Sequence, residues 1–191
     1  MSGPFRTWLM PVLLAPVLVQ AATETGNDPE TGLRFWQWSE GGVSVRLVQR
    51  LPDQIRGFFL ARGFHATEAD HIARACVFQT IFRDDDNHPV DFDLHDWRVL
   101  HQGAPSGLRV REDWDRRWPA DMVPRAARIA LRWSLLPTRQ HFEPGDYNWG
   151  MSVYGLAPGS HFDLHLMMHI GGQQVEALLP DIECPRDGDQ P

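Results

Sequence analysis

The sequence predicts an α+β fold: two N-terminal helices packed on an antiparallel, sandwich-like β-rich body, with one disulfide. Three observations lead there. Residues 51–75 carry helical periodicity with start and stop signals. From residue 76 onward, apolar and polar residues alternate in short runs broken by Gly, Pro and Asp. The chain has two cysteines, Cys76 and Cys184, at the two ends of that stretch.

The elements follow in order. Arg6 precedes a charge-free apolar run, Trp8–Val19, and Val19-Gln20-Ala21 places small residues where a signal peptidase reads. That is the order of a secretory signal peptide, assigned to residues 1–21. The run is shorter than the ~20 apolar residues a spanning helix needs. Residues 22–33 are mainly Thr, Glu, Gly, Asn, Asp and Pro and read as a flexible lead-in to a single α+β domain over 34–185. Arg34–Trp38 is an aromatic run, and Gly42–Val48 alternates as a strand. Leu51–Arg62 follows helical spacing and stops at Gly63. Thr67 and Asp70 form a capping box for a second helix reaching Ala75.

The pattern then changes. Cys76–Phe82 is apolar and strand-prone, and Asp84–Pro89 is a turn. That turn resembles a calcium loop only loosely, because the full ligand spacing and the closing Glu are missing. Val90–Leu100 alternates as one half-buried strand. Glu112–Trp118 reads as a short helix. Ala127–Leu136 reads as a strand with Ile129, Leu131 and Trp133 on one face, and Pro137–Asp146 as a loop. Asn148–Leu156 is another strand. His161–Ile170 and Gln173–Leu179 form a hairpin around Gly171-Gly172, and 186–191 is a polar tail.

Composition narrows the function. The formal net charge is −7, and all 18 basic residues are arginine, scattered along the chain. Removal of residues 1–21 takes away one arginine and no acid. Such a balance disfavours nucleic acid or an anionic membrane as a partner, and after cleavage no later stretch is long and apolar enough to span a membrane. In an oxidising compartment two lone cysteines pair, so Cys76–Cys184 is expected as a disulfide. No Gly-x-Ser-x-Gly, His-Glu-x-x-His, phosphate-cradling or dinucleotide motif occurs.

The densest chemical signal is His161-Phe-Asp-Leu-His-Leu-Met-Met-His-Ile170. Phe162, Leu164, Leu166, Met168 and Ile170 alternate with His161, Asp163, His165, Met167 and His169. One face suits a core; the other carries only metal-competent groups. Imidazole suits copper and zinc, and thioether sulfur selects Cu(I). Ser160 and Asp163 also satisfy a capping box, so a helical alternative exists in which His at i, i+4 and i+8 chelate in pairs. The unbroken period of two favours the strand. On a strand, i and i+4 lie about 13 Å apart, so further ligands must come from neighbouring elements. Candidates are His141 with Glu143, His95, and the Trp149–Met151 pair, where an indole face could support Cu(I).

The resulting expectation is an exported soluble metal-binding protein, a periplasmic copper carrier or accessory factor, with zinc as the other metal. Its partner would be a periplasmic metalloprotein or membrane complex. Two alternatives stand beside it. One is a metal-free periplasmic interaction or assembly module with an exposed aromatic patch including Trp36 and Trp38. The other is a small metal-dependent periplasmic enzyme, which would need three converging ligands and an open position.

Overall fold

A computed structural model describes residues 21–119 and 121–190. The segment read as a signal peptide lies, up to residue 20, outside the described residues. Eleven strands and four helices are formed among those described: β1 (Ala22–Asn27), β2 (Arg34–Glu40), β3 (Val43–Gln49), α1 (Pro52–Leu60), α2 (Ala66–Ala73), β4 (Val77–Asp84), β5 (Val90–Asp93), β6 (Arg98–His101), β7 (Ala104–Ser106), α3 (Arg111–Arg117), α4 (Arg125–Ser134), β8 (Arg139–Phe142), β9 (Tyr147–Val153), β10 (His161–Ile170) and β11 (Gln173–Glu183).

They make three layers. One sheet has the order β1-β2-β3-β4-β9, antiparallel throughout. The second is built on β10, with β11 along one edge and both β5 and β6 along the other. β8 extends β5, and β7 extends β6. The facing surfaces enclose an aromatic core that includes Trp36, Trp38, Phe78, Phe82, Phe142 and Tyr154. Phe82 stacks on Phe142 with ring centroids 4.6 Å apart. The helices cover the other face of the first sheet. There Ile55, Phe59, Phe64, Ile72, Trp118 and Leu131 pack against Val77, Met151 and Val153. Each Leu- or Phe-sized side chain sealed in this way contributes about 1.5–3 kcal/mol.

The α+β class, the antiparallel sheets and the disulfide agree with the expectation; the position of the helices does not. α1 and α2 form where the periodicity places them, but three strands precede them, so they are mid-chain connections between β3 and β4 rather than an N-terminal pair. The expected lead-in at 22–33 contains β1, which pairs with β2 in full register from Ala22↔Ser39 to Asn27↔Arg34. Its composition is that of a loop, and every residue of it is exposed; backbone pairing to the aromatic β2 supplies the order. Val90–Leu100 divides into β5 and β6 at a turn that begins with Asp96 N–H donating to the Asp93 carbonyl. The 137–146 loop contains β8. The polar tail is tied down through Asp187, whose carboxylate accepts from Arg56 at 2.7 Å.

The largest difference is at 125–134, which is helix α4 rather than a strand. Ile129, Leu131 and Trp133 do alternate. However, Ala126, Ala127, Ala130, Leu131 and the arginines at 125, 128 and 132 are strong helix formers. Ala127 and Leu131, four apart, are buried. Ile129 and Trp133, also four apart, face outward.

Cys76 and Cys184 are bonded, with Cα atoms 5.1 Å apart. The bridge joins the start of β4 in the first sheet to the end of β11 in the second. Cys76 adopts φ 57°, a conformation that costs a non-glycine residue about 1–2 kcal/mol. Against this, closing a loop of more than 100 residues removes chain entropy equivalent to about 4–5 kcal/mol in the unfolded state. Replacing both cysteines by serine is therefore expected to lower unfolding stability by about 3–5 kcal/mol, measured by urea denaturation of the oxidised wild type and the variant. An unchanged midpoint would mean that the two sheets hold together without the bridge.

Candidate functional site

The β10 strand forms over the predicted residues and with the predicted facing. Phe162, Leu164, Leu166 and Met168 are buried, whereas His161, His165 and His169 are exposed. From His161 to His169 the strand covers roughly 26 Å, so the three imidazoles stand apart along the sheet. Each has its own surroundings. His161 Nδ1 lies 2.7 Å from Asp181 Oδ1. Asp163 accepts the Asp181 backbone N–H at 2.9 Å, where β10 and β11 shift register and Asp181 takes φ 48°. Asp163 thus holds a β-bulge. His165 stands between Arg98 of β6 and Leu178 of β11, and the guanidinium on one flank opposes a cation. Met167 is half-buried opposite Glu176.

His169 has a different neighbourhood. It is paired with Asp91 of β5, which is in turn paired with His141 of β8. Directly opposed residues in an antiparallel sheet share a face. The three therefore form a transverse row across adjacent strands, and Glu143 joins its end. His141 Nδ1 is 2.8 Å from Asp91 Oδ1, and its Nε2 is 3.3 Å from Glu143 Oε1. Hydrogen bonds to Asp91 and then Glu143 hold the His141 imidazole above the usual histidine pKa. Among the described residues, no three His, Cys, Asp or Glu side chains are grouped so as to hold a metal ion.

The other candidate ligands lie elsewhere. His95 sits in the β5–β6 turn, 2.7 Å from Asp93 Oδ1, and Asp93 also accepts from Arg139. Trp149 and Met151 are on β9, on the helix-covered face of the first sheet. They are separated from the outward face of β10 by both sheets, which pack about 10 Å apart. The strand array and the Trp149–Met151 pair cannot share one ion.

Trp149 belongs instead to a groove of about 560 Å³ between α1 and α4. Its floor is Gln79 and Met151, paired across β4 and β9. Ile55 and Phe58 of α1 line one side. Trp133 of α4 lines the other. Trp133 is 81% exposed and Trp149 63%, whereas Trp36 and Trp38, the expected patch, are 1% and 2% exposed in the core. The misplacement of Trp133 follows from reading α4 as a strand. Two arginines enter the groove. Arg62 lies over the Phe58 ring, 3.3 Å from its centroid. Arg50 is half-buried, donates to Gln79 at 3.0 Å, and its pKa is pushed down by burial. Neither has a carboxylate within salt-bridge distance among the described residues. The sequence held one signal for this groove, an unexplained surplus of tryptophan, but no indication of which tryptophans the fold leaves outside.

No helix among the described residues is long and apolar enough to cross a membrane. Comparison with known protein families, curated proteins and solved structures finds no match for this chain.

The perturbed His141 gives a test of these surroundings. His141 is expected to titrate above the ordinary histidine range and to fall back toward it in Asp91→Asn, as read by NMR of the imidazole protons. Because its folded pKa is raised, the His141–Asp91 pairing stabilises the fold fully below the unfolded pKa. That contribution is lost as pH rises through the folded value. A His141 titration unmoved by Asp91→Asn would remove the ion pair from the account.

Proposed function

We propose that this chain is an extracytoplasmic binding module that captures a segment of a partner protein in the groove between α1 and α4. The observation that carries the reading is the pair Trp133 and Trp149, both largely exposed in one groove whose opposite side is Ile55 and Phe58 of α1. Large aromatic side chains exposed together lose hydration free energy until something covers them, and tryptophan and arginine dominate binding hot spots. Charge complementarity defines the occupant. Arg50 and Arg62 bring positive charge into the groove, and no carboxylate lines it among the described residues. The matching segment is a peptide with an aromatic or large aliphatic side chain next to Asp or Glu. Half-burial makes the Arg50 charge costly when it faces nothing, and a peptide carboxylate would recover that cost.

The test is a selection of random peptides displayed against residues 22–191. Peptides with an apolar anchor beside a carboxylate should be enriched. Their affinity should fall at least about 30-fold in Trp133→Ala/Trp149→Ala, the scale of losing a hot spot. It should be unchanged in His161→Ala/His165→Ala/His169→Ala. Absence of enrichment, or equal binding by the tryptophan variant, would overturn the reading.

A second reading, a copper or zinc carrier, is favoured by the row His169–Asp91–His141, in which imidazoles on β10 and β8 flank a carboxylate on the β5 strand between them. Rotation of the His141 ring away from Asp91 would free its nitrogens for an ion. In this reading the site is His141 and His169 with Asp91 or Glu143, with Met167 the next residue on the same face of β10; His161 and His165, roughly 26 and 13 Å along the strand from His169, lie outside it. Copper titration should give stoichiometric binding that disappears in His141→Ala/His169→Ala. Binding weaker than about 10 μM, or equal in that variant, would remove it.

A further inference from the structure

The helix layer also carries a second, separate depression of about 450 Å³, walled by α2, α3, Arg109 and the 155–157 loop. In a chain of net charge −7 it is lined by four arginines, Arg74, Arg109, Arg116 and Arg117, with one carboxylate, Asp113. Two of the guanidiniums are already used. Arg116 pairs with Asp113, and Arg74 pairs with Asp70 at 3.0 Å. Arg109 and Arg117 have no carboxylate within salt-bridge distance among the described residues. Arg117 instead lies 3.5 Å from His71 Nδ1.

The aromatic wall beside them is fixed. Trp114 stacks on Trp118 with centroids 5.0 Å apart, and His71 meets both rings edge-on at 6.0 Å. Trp114 is buried, and among the described residues its indole N–H has no hydrogen-bond partner. A buried donor left unpaired is destabilising. Gly155 shapes the opposite wall. It takes φ 69°, and a Cβ there would stand 2.9 Å from Arg109 Nε, so only glycine lets that guanidinium lie against the loop. The His71 pKa is pushed down by burial and then by Arg117 and Arg109, consistent with a positive potential in the pocket.

We propose that this pocket binds a small organic phosphate, with Arg109 and Arg117 gripping the phosphate group and the Trp114 wall meeting the organic part. Two uncompensated guanidiniums match the charge of a phosphate monoester, about −1.5 to −2 at neutral pH. The guanidinium fork is suited to paired hydrogen bonds with phosphate oxygens. The cavity is also far larger than one phosphate group requires and falls within the ~300–1,000 Å³ of small-molecule sites. This site is independent of the α1–α4 groove and stands or falls apart from it.

Phenyl phosphate is the probe, with inorganic phosphate as the comparison, titrated into residues 22–191 and followed by NMR. Phenyl phosphate should shift the His71 imidazole and Trp114 indole signals and bind several-fold more tightly than inorganic phosphate. Arg109→Ala and Arg117→Ala should each weaken it by at least about 10-fold, the scale of one charge-assisted hydrogen bond lost. Arg98→Ala, on the outer face of the other sheet, should leave it unchanged. No shift at about 10 mM, where a millimolar site would be saturated, would overturn the proposal. So would shifts that persist in Arg109→Ala and Arg117→Ala, or equal binding of the two phosphates.

Discussion

The structure depends on the paired segments Val77–Thr80 of β4 and Gly150–Val153 of β9 being buried on both faces. Val77 and Phe78 are adjacent in sequence and both fully sealed, one beneath the helices and the other between the sheets. On the inner side, the hydroxyls of Thr80 and Ser152 lie 2.6 Å apart, and Ser152 reaches Tyr154 at 3.1 Å, so these three buried hydroxyls satisfy one another. The outer edge of β9 is closed by the chain leaving α4. Leu136 N–H donates to the Met151 carbonyl at 2.9 Å. This approach is open only because residue 150 is glycine. A Cβ there would stand 2.5 Å from Leu136 N. Gly150 thus fixes where α4 sits on the sheet, and so where Trp133 stands relative to Trp149.

From that constraint the rest follows. α1, α2 and α4 cover the Val77–Val153 end of the β4–β9 pair and leave the Gln79–Met151 step open as a floor. The groove is therefore the gap left by a helix layer that covers only part of a sheet. The same layer, where α2 and α3 meet, leaves the arginine-lined pocket. The opposite outer face, on β10, β5 and β8, carries the histidines in separate pairings with Asp181, Asp91 and Asp93.

The sequence announces elements well where local rules act alone. β10 forms over the residues its alternation marks, and the Gly171-Gly172 turn closes its hairpin with β11. α1 forms within its marked segment, and α2 forms close to its own but starts at Ala66 with His65 as N-cap, so the expected Thr67–Asp70 capping box is not what opens it. The sequence fails where pairing partners decide. β1 has no strand composition and is ordered only by β2. In 125–134 the period of two and the helix propensity of Ala, Arg and Leu conflict, and propensity together with burial of Ala127 and Leu131 prevails. The candidate site was legible to the same degree. The outward facing of the β10 histidines could be read from alternation, but their separation in space depends on which strands lie beside them. The row of His169, Asp91 and His141 comes from three distant segments and has no local signature. The exposure of Trp133 and the burial of Trp36 likewise depend on layer order, which periodicity does not carry.

Under the proposed function, the working surface is the groove lined by Trp133 and Trp149. The most direct measurement is the indole N–H region of the NMR spectrum of residues 22–191, followed while a selected acidic–aromatic peptide is added. The account predicts that the Trp133 and Trp149 signals move together and saturate, while those of the core tryptophans Trp36 and Trp97 stay in place. Saturable binding that leaves Trp133 and Trp149 unmoved and shifts the β10 histidines instead would contradict it.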